Sequence, residues 1–290
     1  EQLDFKEDDW DCGKDSNKLL KKLKNPHLNL PPTIHVAGTN GKGSTIAFLR
    51  SIFEKNKFKV HVYTSPHLVN FNERIRISSN LINNEYLNSL LEECEYYNKK
   101  CEITFFEITT AAAYLAFSRN KADILLLETG LGGKFDATNI ISSTFFNLIT
   151  PISMDHMIFL GNTINKITKE KEGIFKNNVP AVISPQNTEA MSVITKEAKL
   201  KNVKLYRYKK EWNILRTTTK SFKLKILENE LLIPIPKMLG KHQIFNAASA
   251  VTLVKKQKRF KLKDGLIKEG IVETFWPARM QKLDKGKISK

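Results

Sequence analysis

The residues most capable of chemistry lie in a glycine-rich segment, HVAGTNGKGST, at positions 35–45. This segment follows a short apolar strand and precedes residues with the apolar spacing of a helix. Such a turn points backbone N–H groups and the positive end of the helix at one spot, which suits a phosphate group. Lys42 can reach a terminal phosphate, and Ser44 lies near any magnesium ion held there. The segment therefore predicts a binding site for nucleotide phosphates.

The glycines of this segment differ from those of a standard phosphate loop. In the pattern G-x-x-x-x-G-K-[ST], Val36 takes the position of the first glycine and Gly43 takes the position of the hydroxyl residue. The order of strand, glycine turn and helix is nevertheless kept. A plain glycine turn with a surface lysine is the alternative interpretation.

Other candidate residues follow the ends of apolar strands. Glu128 closes the strand ILLLE, and Ser65 ends the strand HVYTS. Ligands of parallel sheets gather beyond the carboxyl ends of the strands, where a carboxylate commonly holds magnesium. His156 follows a further strand, TFFNLITPIS, but by itself it is typical of a polar loop, because imidazole is an unusual partner for magnesium. By the same standard, Lys171 in KEKEGIFK is typical of the surface of a charged helix.

Strands and helices alternate along the chain. The periodicity predicts strands over residues 33–38, 59–65, 122–130 and 144–150, and helices over residues 44–56, 84–100, 106–120 and 242–256. Strands separated by helices imply a parallel sheet with right-handed crossovers. The residues SFKLKILENELLIPIP at 221–236 predict a β-hairpin on the flank. We therefore expect an α/β fold with a mostly parallel sheet, a phosphate loop and a small flanking β-hairpin region.

The composition restricts the class of protein. The net charge of +17 would suit a nucleic-acid-binding protein, but only eight residues are arginine and no nucleic-acid module is visible. The three cysteines have neither zinc-site spacing nor the density of a disulfide scaffold. No apolar run approaches the ~20 residues that span a bilayer. We expect a cytoplasmic protein that binds no membrane.

Several segments together resemble one known family. These are GTNGKGS (38–44), YTSPHLVNFNERIRI (63–77), FFEITTAAAYLAF (105–117), LLLETGLGGKFDATNII (125–141), ITPISMDHMIFLGNTINKITKEKEGIFK (149–176), LGKHQIFNAASA (239–250) and WPARMQ (276–281). They resemble, in order, the Mur ligase superfamily, and glycine after the loop lysine is typical of its folate branch. That branch contains the dihydrofolate synthases and folylpolyglutamate synthases.

The resemblance implies an ATP-dependent ligase. Such an enzyme joins L-glutamate to dihydropteroate, and in some members to reduced folates, through an acyl phosphate, and it releases ADP and phosphate. ATP and Mg²⁺ are the implied cofactors, and we expect a monomer. Two alternatives stay open, namely a Mur-type peptidoglycan amino-acid ligase and a basic P-loop protein that binds nucleic acid without catalysis.

The resemblance also implies roles for particular residues. The ATP-binding positions are Thr39, Asn40, Gly41, Lys42, Gly43, Ser44, Asn246 and Arg279, and the catalytic ones are Lys42, Lys171 and Arg279. The metal ligands are Ser65, Glu128, His156 and, if it is carbamylated, Lys171. The substrate positions are Thr104, Phe105, Phe106, Glu107, Phe135, Asp136 and Ala137, with Asp11 and Cys12 near the N-terminus. Cys12 departs from the Asp-Leu-Gly-Leu stretch of the family.

A division of the chain follows from the same resemblance. Residues 1–274 correspond to the ATP-binding central domain, and residues 275–290 correspond to a linker. In the family this linker leads to a second, Rossmann-like domain that closes over the nucleotide and glutamate. We expect that domain to be absent from this chain, and we therefore expect weak ligase activity or none from the chain alone.

Overall fold

The computed structural model describes residues 14–99 and 101–279. The predicted substrate positions Asp11 and Cys12 lie outside these residues. In the described part of the chain, no helix is long and apolar enough to span a bilayer.

A mostly parallel sheet forms the centre of the fold. Its strands are β1 (Thr33–Ala37), β2 (Val60–Tyr63), β3 (Ile75–Ile77), β4 (Asn80–Leu81), β5 (Ile124–Glu128), β6 (Phe146–Ile149), β7 (Ala181–Ile183) and β8 (Leu205–Arg207). The strand order is β4-β3-β2-β5-β1-β6-β7-β8, with parallel pairing from β2 to β8 and antiparallel pairing of β3 and β4 at one edge. The predicted α/β fold is therefore confirmed.

Helices cover both faces of this sheet. They are α1 (Lys14–Lys22), α2 (Lys42–Lys55), α3 (Asn84–Asn98), α4 (Phe105–Arg119), α5 (Met157–Leu160), α6 (Ile164–Glu172), α7 (Thr188–Leu200), α8 (Lys241–Lys256) and α9 (Asp264–Glu273). The central strands β1, β5 and β6 are buried along their whole length, which explains their continuous apolar runs.

A second, antiparallel sheet lies on the flank. Its strands are β9 (Trp212–Thr217), β10 (Ser221–Ile226) and β11 (Asn229–Pro234), in the order β11-β10-β9. The predicted hairpin corresponds to β10 and β11, and β9 is a third strand that the sequence analysis did not identify. Trp212 and Phe222 of this sheet join the apolar core that α2 and α8 form with the main sheet.

The opposite face of the main sheet carries two separate apolar clusters. One packs α1, α3 and α4 against β2 and β5, and the other packs α6 and α7 against β6 and β7. Between them, the adjacent strands β1 and β6 bring His35 and Asn147 into register, and both side chains are fully buried. A polar strip thus divides the two clusters on this face.

Candidate active site

A cavity of about 660 Å³ lies beyond the carboxyl ends of the central strands. Ser65 and Glu128 of the predicted metal set line this cavity. All the predicted ATP positions line it as well, namely Thr39, Asn40, Gly41, Lys42, Gly43, Ser44, Asn246 and Arg279. We call it the nucleotide cavity. Its location agrees with the rule that open α/β sheets bind ligands beyond the carboxyl ends of their strands.

The phosphate loop is anchored to the segment that follows β6. The backbone N–H groups of Thr39 and Asn40 both donate to the carbonyl of Pro151, at 3.0 Å and 3.2 Å. The Thr39 hydroxyl donates to the carbonyl of Ser153 at 3.1 Å. These bonds occupy the first two amides of the loop, so the amides from Gly41 onwards are the ones that remain to meet a phosphate.

Close packing explains two of the glycines. Gly41 has a φ of 88°, and a Cβ atom there would lie 2.6 Å from Oδ1 of Asn246. A Cβ atom on Gly43 would lie 3.1 Å from Cζ2 of Trp276. The standard hydroxyl residue at position 43 would therefore press against the Trp276 ring, which gives a physical reason for the departure from the standard loop pattern.

Two lysines reach the base of the loop. Lys42 Nζ donates to the carbonyl of Gly38 at 3.0 Å and lies 3.4 Å from that of Thr39. Lys171, on α6, donates to the carbonyl of Gly38 at 3.1 Å, and the side chain is only 2% exposed. Burial and the charge of Lys42 lower the pKa of Lys171 to about 8. The interpretation of Lys171 as a surface lysine is therefore wrong.

Glu128 is a buried carboxyl group, 4% exposed, at the end of β5. Its Oε2 atom accepts a hydrogen bond from the backbone N–H of Ser65 at 3.3 Å. Burial raises the pKa of Glu128 to about 7, although the charge of Lys42 opposes this shift. A buried carboxylate with one long hydrogen bond suits a cation, because the cation would replace the stabilisation that the carboxylate loses when it is removed from water.

A further predicted metal ligand, His156, is not among the residues that line the nucleotide cavity. It precedes α5 with a φ of 46°, and its Nε2 atom is 3.6 Å from a carboxylate oxygen of Asp155. Within residues 14–99 and 101–279, no three His, Cys, Asp or Glu side chains form a group that could hold a metal ion. A metal ion here would therefore take part of its ligands from other oxygen groups, such as hydroxyls, water, nucleotide phosphates or a modified lysine.

A second cavity, of about 500 Å³, adjoins the first at Ser65 and Pro66. We call it the substrate cavity. His156 lines this cavity. Six predicted substrate positions also line it, namely Thr104, Phe106, Glu107, Phe135, Asp136 and Ala137. Phe105 is not among the lining residues; it is 64% exposed and makes an edge contact with the Phe71 ring at 5.7 Å.

The two carboxylates of the substrate cavity are held by the protein itself. Glu107 forms a capping box with Thr104 at the start of α4, accepting from its N–H at 2.9 Å and its hydroxyl at 2.8 Å. Asp136 accepts from the N–H groups of Leu131 and Thr138, at 2.8 Å and 2.9 Å, and from the Thr138 hydroxyl. Burial raises the pKa of Asp136. Both side chains are thus fixed in orientation.

The sequence analysis missed several lining residues. Gln243 lines the nucleotide cavity, accepts from Asn246 at 3.0 Å and donates to the Ser44 hydroxyl at 3.4 Å. Its place one helical turn before Asn246 on α8 is a signal that could have identified it. Arg74 lines the substrate cavity and donates to Nδ1 of His67 at 2.9 Å. His242 also borders the nucleotide cavity.

The sequence of this chain is similar to those of known proteins. Residues 36–254 match the family model described as the Mur ligase middle domain. The dihydrofolate synthase/folylpolyglutamate synthase of Bacillus subtilis is 34% identical over 278 residues, which cover 91% of this chain and 64% of that protein. These relatives favour neither the peptidoglycan-ligase nor the nucleic-acid alternative.

Solved structures agree with the sequence comparison. The structure of E. coli FolC in complex with DHPP and ADP has a TM-score of 0.85 at 31% identity, covering 93% of this chain and 63% of that one. A bifunctional folylpolyglutamate synthase/dihydrofolate synthase with Mn, AMPPNP and L-glutamate bound has a TM-score of 0.83 at 30% identity, covering 93% and 64%. The chain thus spans less than two thirds of the length of these relatives.

Proposed function

Because this chain belongs to the Mur ligase family, with residues 36–254 matching its middle domain, we propose that it is the nucleotide-binding part of an ATP-dependent amide ligase. The proposed reaction adds L-glutamate to dihydropteroate or to a reduced folate. ATP first phosphorylates the carboxylate of the pterin-bearing acid, and the amine of glutamate then attacks the acyl phosphate, giving ADP and phosphate. The names of the relatives support the choice of a folate and glutamate as substrates.

One observation carries the proposal. The nucleotide cavity and the substrate cavity meet at Ser65 and Pro66, so a phosphate on the loop and an acid in the neighbouring cavity would come together there. A carboxylate does not condense with an amine in neutral water unless it is first activated. Proximity of this kind converts a bimolecular step into an effectively unimolecular one.

Positive charge around the transferred group is the main contribution expected of the protein. Phosphoryl transfer needs positioning and charge stabilisation more than covalent chemistry. Lys42 and Arg279 supply cationic groups that border the nucleotide cavity, and Asn246 packs against Gly41 of the loop. In the proposed mechanism Lys42 leaves the Gly38 carbonyl to meet phosphate oxygens.

The residues beside Ser65 fit a magnesium ion. Glu128 offers a buried carboxylate with one long hydrogen bond, and the hydroxyls of Ser44 and Ser65 border the same cavity. A bound magnesium ion would neutralise charge on the phosphate oxygens. His156 borders only the substrate cavity, and we propose it as a ligand on the strength of the family resemblance.

We further propose that Lys171 is carbamylated. An ammonium group about 4 Å from another unit positive charge is repelled by about 4 kcal/mol at an effective dielectric of about 20. Lys171 lies close to Lys42 and would lie close to a metal, so a cation is poorly placed there. Carbamylation reverses the charge and supplies oxygen ligands.

The substrate cavity suits a flat heteroaromatic acid. The Phe106 and Phe135 rings offer faces for stacking, and Arg74 offers a cation for a carboxylate. Asp136 is rigidly held, and an N–H group of a pterin ring would donate to its Oδ2 atom, because Oδ1 already accepts two hydrogen bonds from Thr138. We propose that residues 1–274 form this nucleotide-binding unit and that residues 275–290 form a linker.

The experiment that tests this function is the release of ADP from ATP. Dihydropteroate with glutamate and tetrahydrofolate with glutamate are compared, and each substrate is omitted in turn. ADP release that needs both glutamate and one of the pterin acids supports the proposal. ADP release that ignores both substrates, or the absence of any nucleotide binding by calorimetry, contradicts it.

A further inference from the structure

A third cavity, of about 340 Å³, lies at the opposite edge of the sheet from the two cavities above. It is bordered by the segment that leads into β1, by the segment that leads into β6 and by Arg259, which follows α8. Its polar lining residues are His27, Thr33, Ser142, Ser143, Thr144 and Arg259, and no acidic residue is among its lining residues. We call it the amino-edge cavity.

Three exposed side chains at the mouth of this cavity, those of Arg259, Ser142 and Ser143, are not engaged by other protein groups that the structure describes. Among the described residues, the guanidinium of Arg259 makes no ion pair, and no hydrogen bond engages the hydroxyls of Ser142 and Ser143. Nδ1 of His27 is buried and also has no hydrogen-bond partner. An unpaired guanidinium beside free hydroxyls is the donor set that proteins use for oxyanions.

The other two hydroxyls offer the opposite polarity. The Thr33 hydroxyl donates to the carbonyl of Pro31 at 2.9 Å, and the Thr144 hydroxyl donates to Oδ1 of Asn147 at 2.9 Å. Because each hydroxyl has only one proton, both oxygens present lone pairs alone to the cavity. A ligand that satisfied the whole cavity would therefore accept hydrogen bonds at one end and donate one at the other.

Thr144 also adjoins the buried polar strip between the two apolar clusters. Oδ1 of Asn147 accepts the Thr144 hydrogen bond, and Asn147 is the register partner of His35. No hydrogen bond joins these two side chains, since Nδ2 of Asn147 and Nδ1 of His35 are both buried without a partner. Nε2 of His35 is 2.9 Å from the Thr138 hydroxyl. Thr138 in turn donates to Asp136 of the substrate cavity. The bond to Asn147 engages the one hydroxyl proton of Thr144, so the Thr144 oxygen meets any other partner as an acceptor.

We propose that the amino-edge cavity binds a small oxyanion that also carries a hydroxyl group, such as a phosphate or a hydroxycarboxylate. Arg259 supplies the charge, Ser142 and Ser143 donate to the anionic oxygens, and the Thr33 and Thr144 oxygens accept from the hydroxyl. This site is separate from the nucleotide cavity and does not depend on the proposed ligase function.

Equilibrium dialysis with radiolabelled inorganic phosphate tests the site, with malate as a competing hydroxycarboxylate. We expect Arg259→Gln to weaken phosphate binding by about tenfold or more, because a charge-assisted contact is lost. The Ser142→Ala/Ser143→Ala double variant should weaken it less. If malate competes with phosphate, the site accepts both phosphates and hydroxycarboxylates. If malate does not compete, the site accepts phosphate and excludes the hydroxycarboxylate.

Two controls separate this site from other basic surfaces. Lys258→Gln removes a neighbouring exposed charge outside the cavity lining and should change the affinity less than twofold. Lys42→Ala removes phosphate binding at the loop and should leave the Arg259-dependent binding in place. Equal binding by the wild type and Arg259→Gln, equal weakening by Lys258→Gln, or no binding of either anion at millimolar concentration would overturn the proposal.

Discussion

The Nζ atoms of Lys42 and Lys171 donate to the same oxygen, the carbonyl of Gly38, at 3.0 Å and 3.1 Å. No carboxylate of the described residues lies within ion-pair distance of either lysine. Two cations that share one carbonyl repel each other, and burial makes the repulsion stronger than it would be in water. The pair therefore favours an anion between the lysines, or the loss of charge from one of them.

Carbamylation of Lys171 is the first prediction. Native mass spectrometry in bicarbonate buffer should show a mass increment of one carbon dioxide on the wild-type chain and none on Lys171→Ala. Lys169→Ala, which removes an exposed lysine of the same helix, should keep the increment. We expect weak ligase activity in Lys171→Ala and partial recovery with small carboxylates such as acetate. An unmodified wild-type chain, together with activity in Lys171→Ala equal to that of the wild-type chain, would refute the modification.

The second prediction concerns Lys42. Relative to the wild-type chain, whose own ligase activity we expect to be weak, Lys42→Ala should lower turnover by orders of magnitude, because the positive charge that meets the transferred phosphoryl group is lost. The melting temperature should change little, since the side chain bonds only to loop carbonyls. Lys220→Ala, which removes an exposed lysine in the turn between β9 and β10 that lines neither the nucleotide cavity nor the substrate cavity, serves as the matched control. A rate in Lys42→Ala equal to that of the control would remove the lysine from the mechanism.

A pair of glycine substitutions makes the third prediction. Gly41→Ala places a Cβ atom at a positive φ and against Asn246, so we expect a loss of about 1–3 kcal/mol in the free energy of unfolding and weaker nucleotide binding. Gly265→Ala, within α9, meets no atom within 4 Å and should stabilise by about 0.5 kcal/mol. Urea unfolding and calorimetry with ADP measure both effects. Equal stability of the two variants would contradict the packing described here.

The fourth prediction concerns acid stability. Burial, with the charge of Lys176, lowers the pKa of His35 to about 3 from an ordinary value of 6.5. Between these values the unfolded chain binds a proton that the folded chain does not, so stability falls as the pH falls below 6.5. This histidine should cost the wild type about 2 kcal/mol of unfolding free energy at pH 5 relative to neutral pH.

His35→Gln keeps a hydrogen-bond donor for Thr138 and removes the titrating group. Urea midpoints should therefore fall less between pH 7.5 and pH 5 in His35→Gln than in the wild type. His242→Gln, an exposed histidine, should follow the wild type. If His35→Gln and the wild type lose the same stability over this range, the buried neutral histidine is not the cause.

Periodicity predicted the fold well where strands and helices are long and regular. The helix predicted over residues 106–120 is α4, Phe105–Arg119, and the strand predicted over residues 33–38 is β1, Thr33–Ala37. The short antiparallel strands β3 and β4 were missed, because two or three residues carry no measurable alternation. β9 was missed because only part of it is buried, so its apolar pattern is incomplete.

The site was predicted unevenly. The positions in the phosphate loop could be read from the order of strand, glycine turn and helix. The burial of Lys171 could not be predicted from the sequence, because a lysine between two glutamates on a helix is typical of a solvent-exposed face. Tertiary packing alone buries this side chain. The contact between Trp276 and Gly43 could not be predicted either, since the two residues are far apart in sequence.

Ser65 and Pro66 border both the nucleotide cavity and the substrate cavity. Consider a compound with one arm for each cavity and a short linker that passes over these residues. It would lose translational freedom once on binding, whereas two separate ligands would each lose it. After the first arm binds, the effective concentration of the second arm is in the millimolar range for a short flexible linker of suitable length. The shared wall thus makes the two cavities a single target for a bisubstrate inhibitor, even when each arm alone binds weakly.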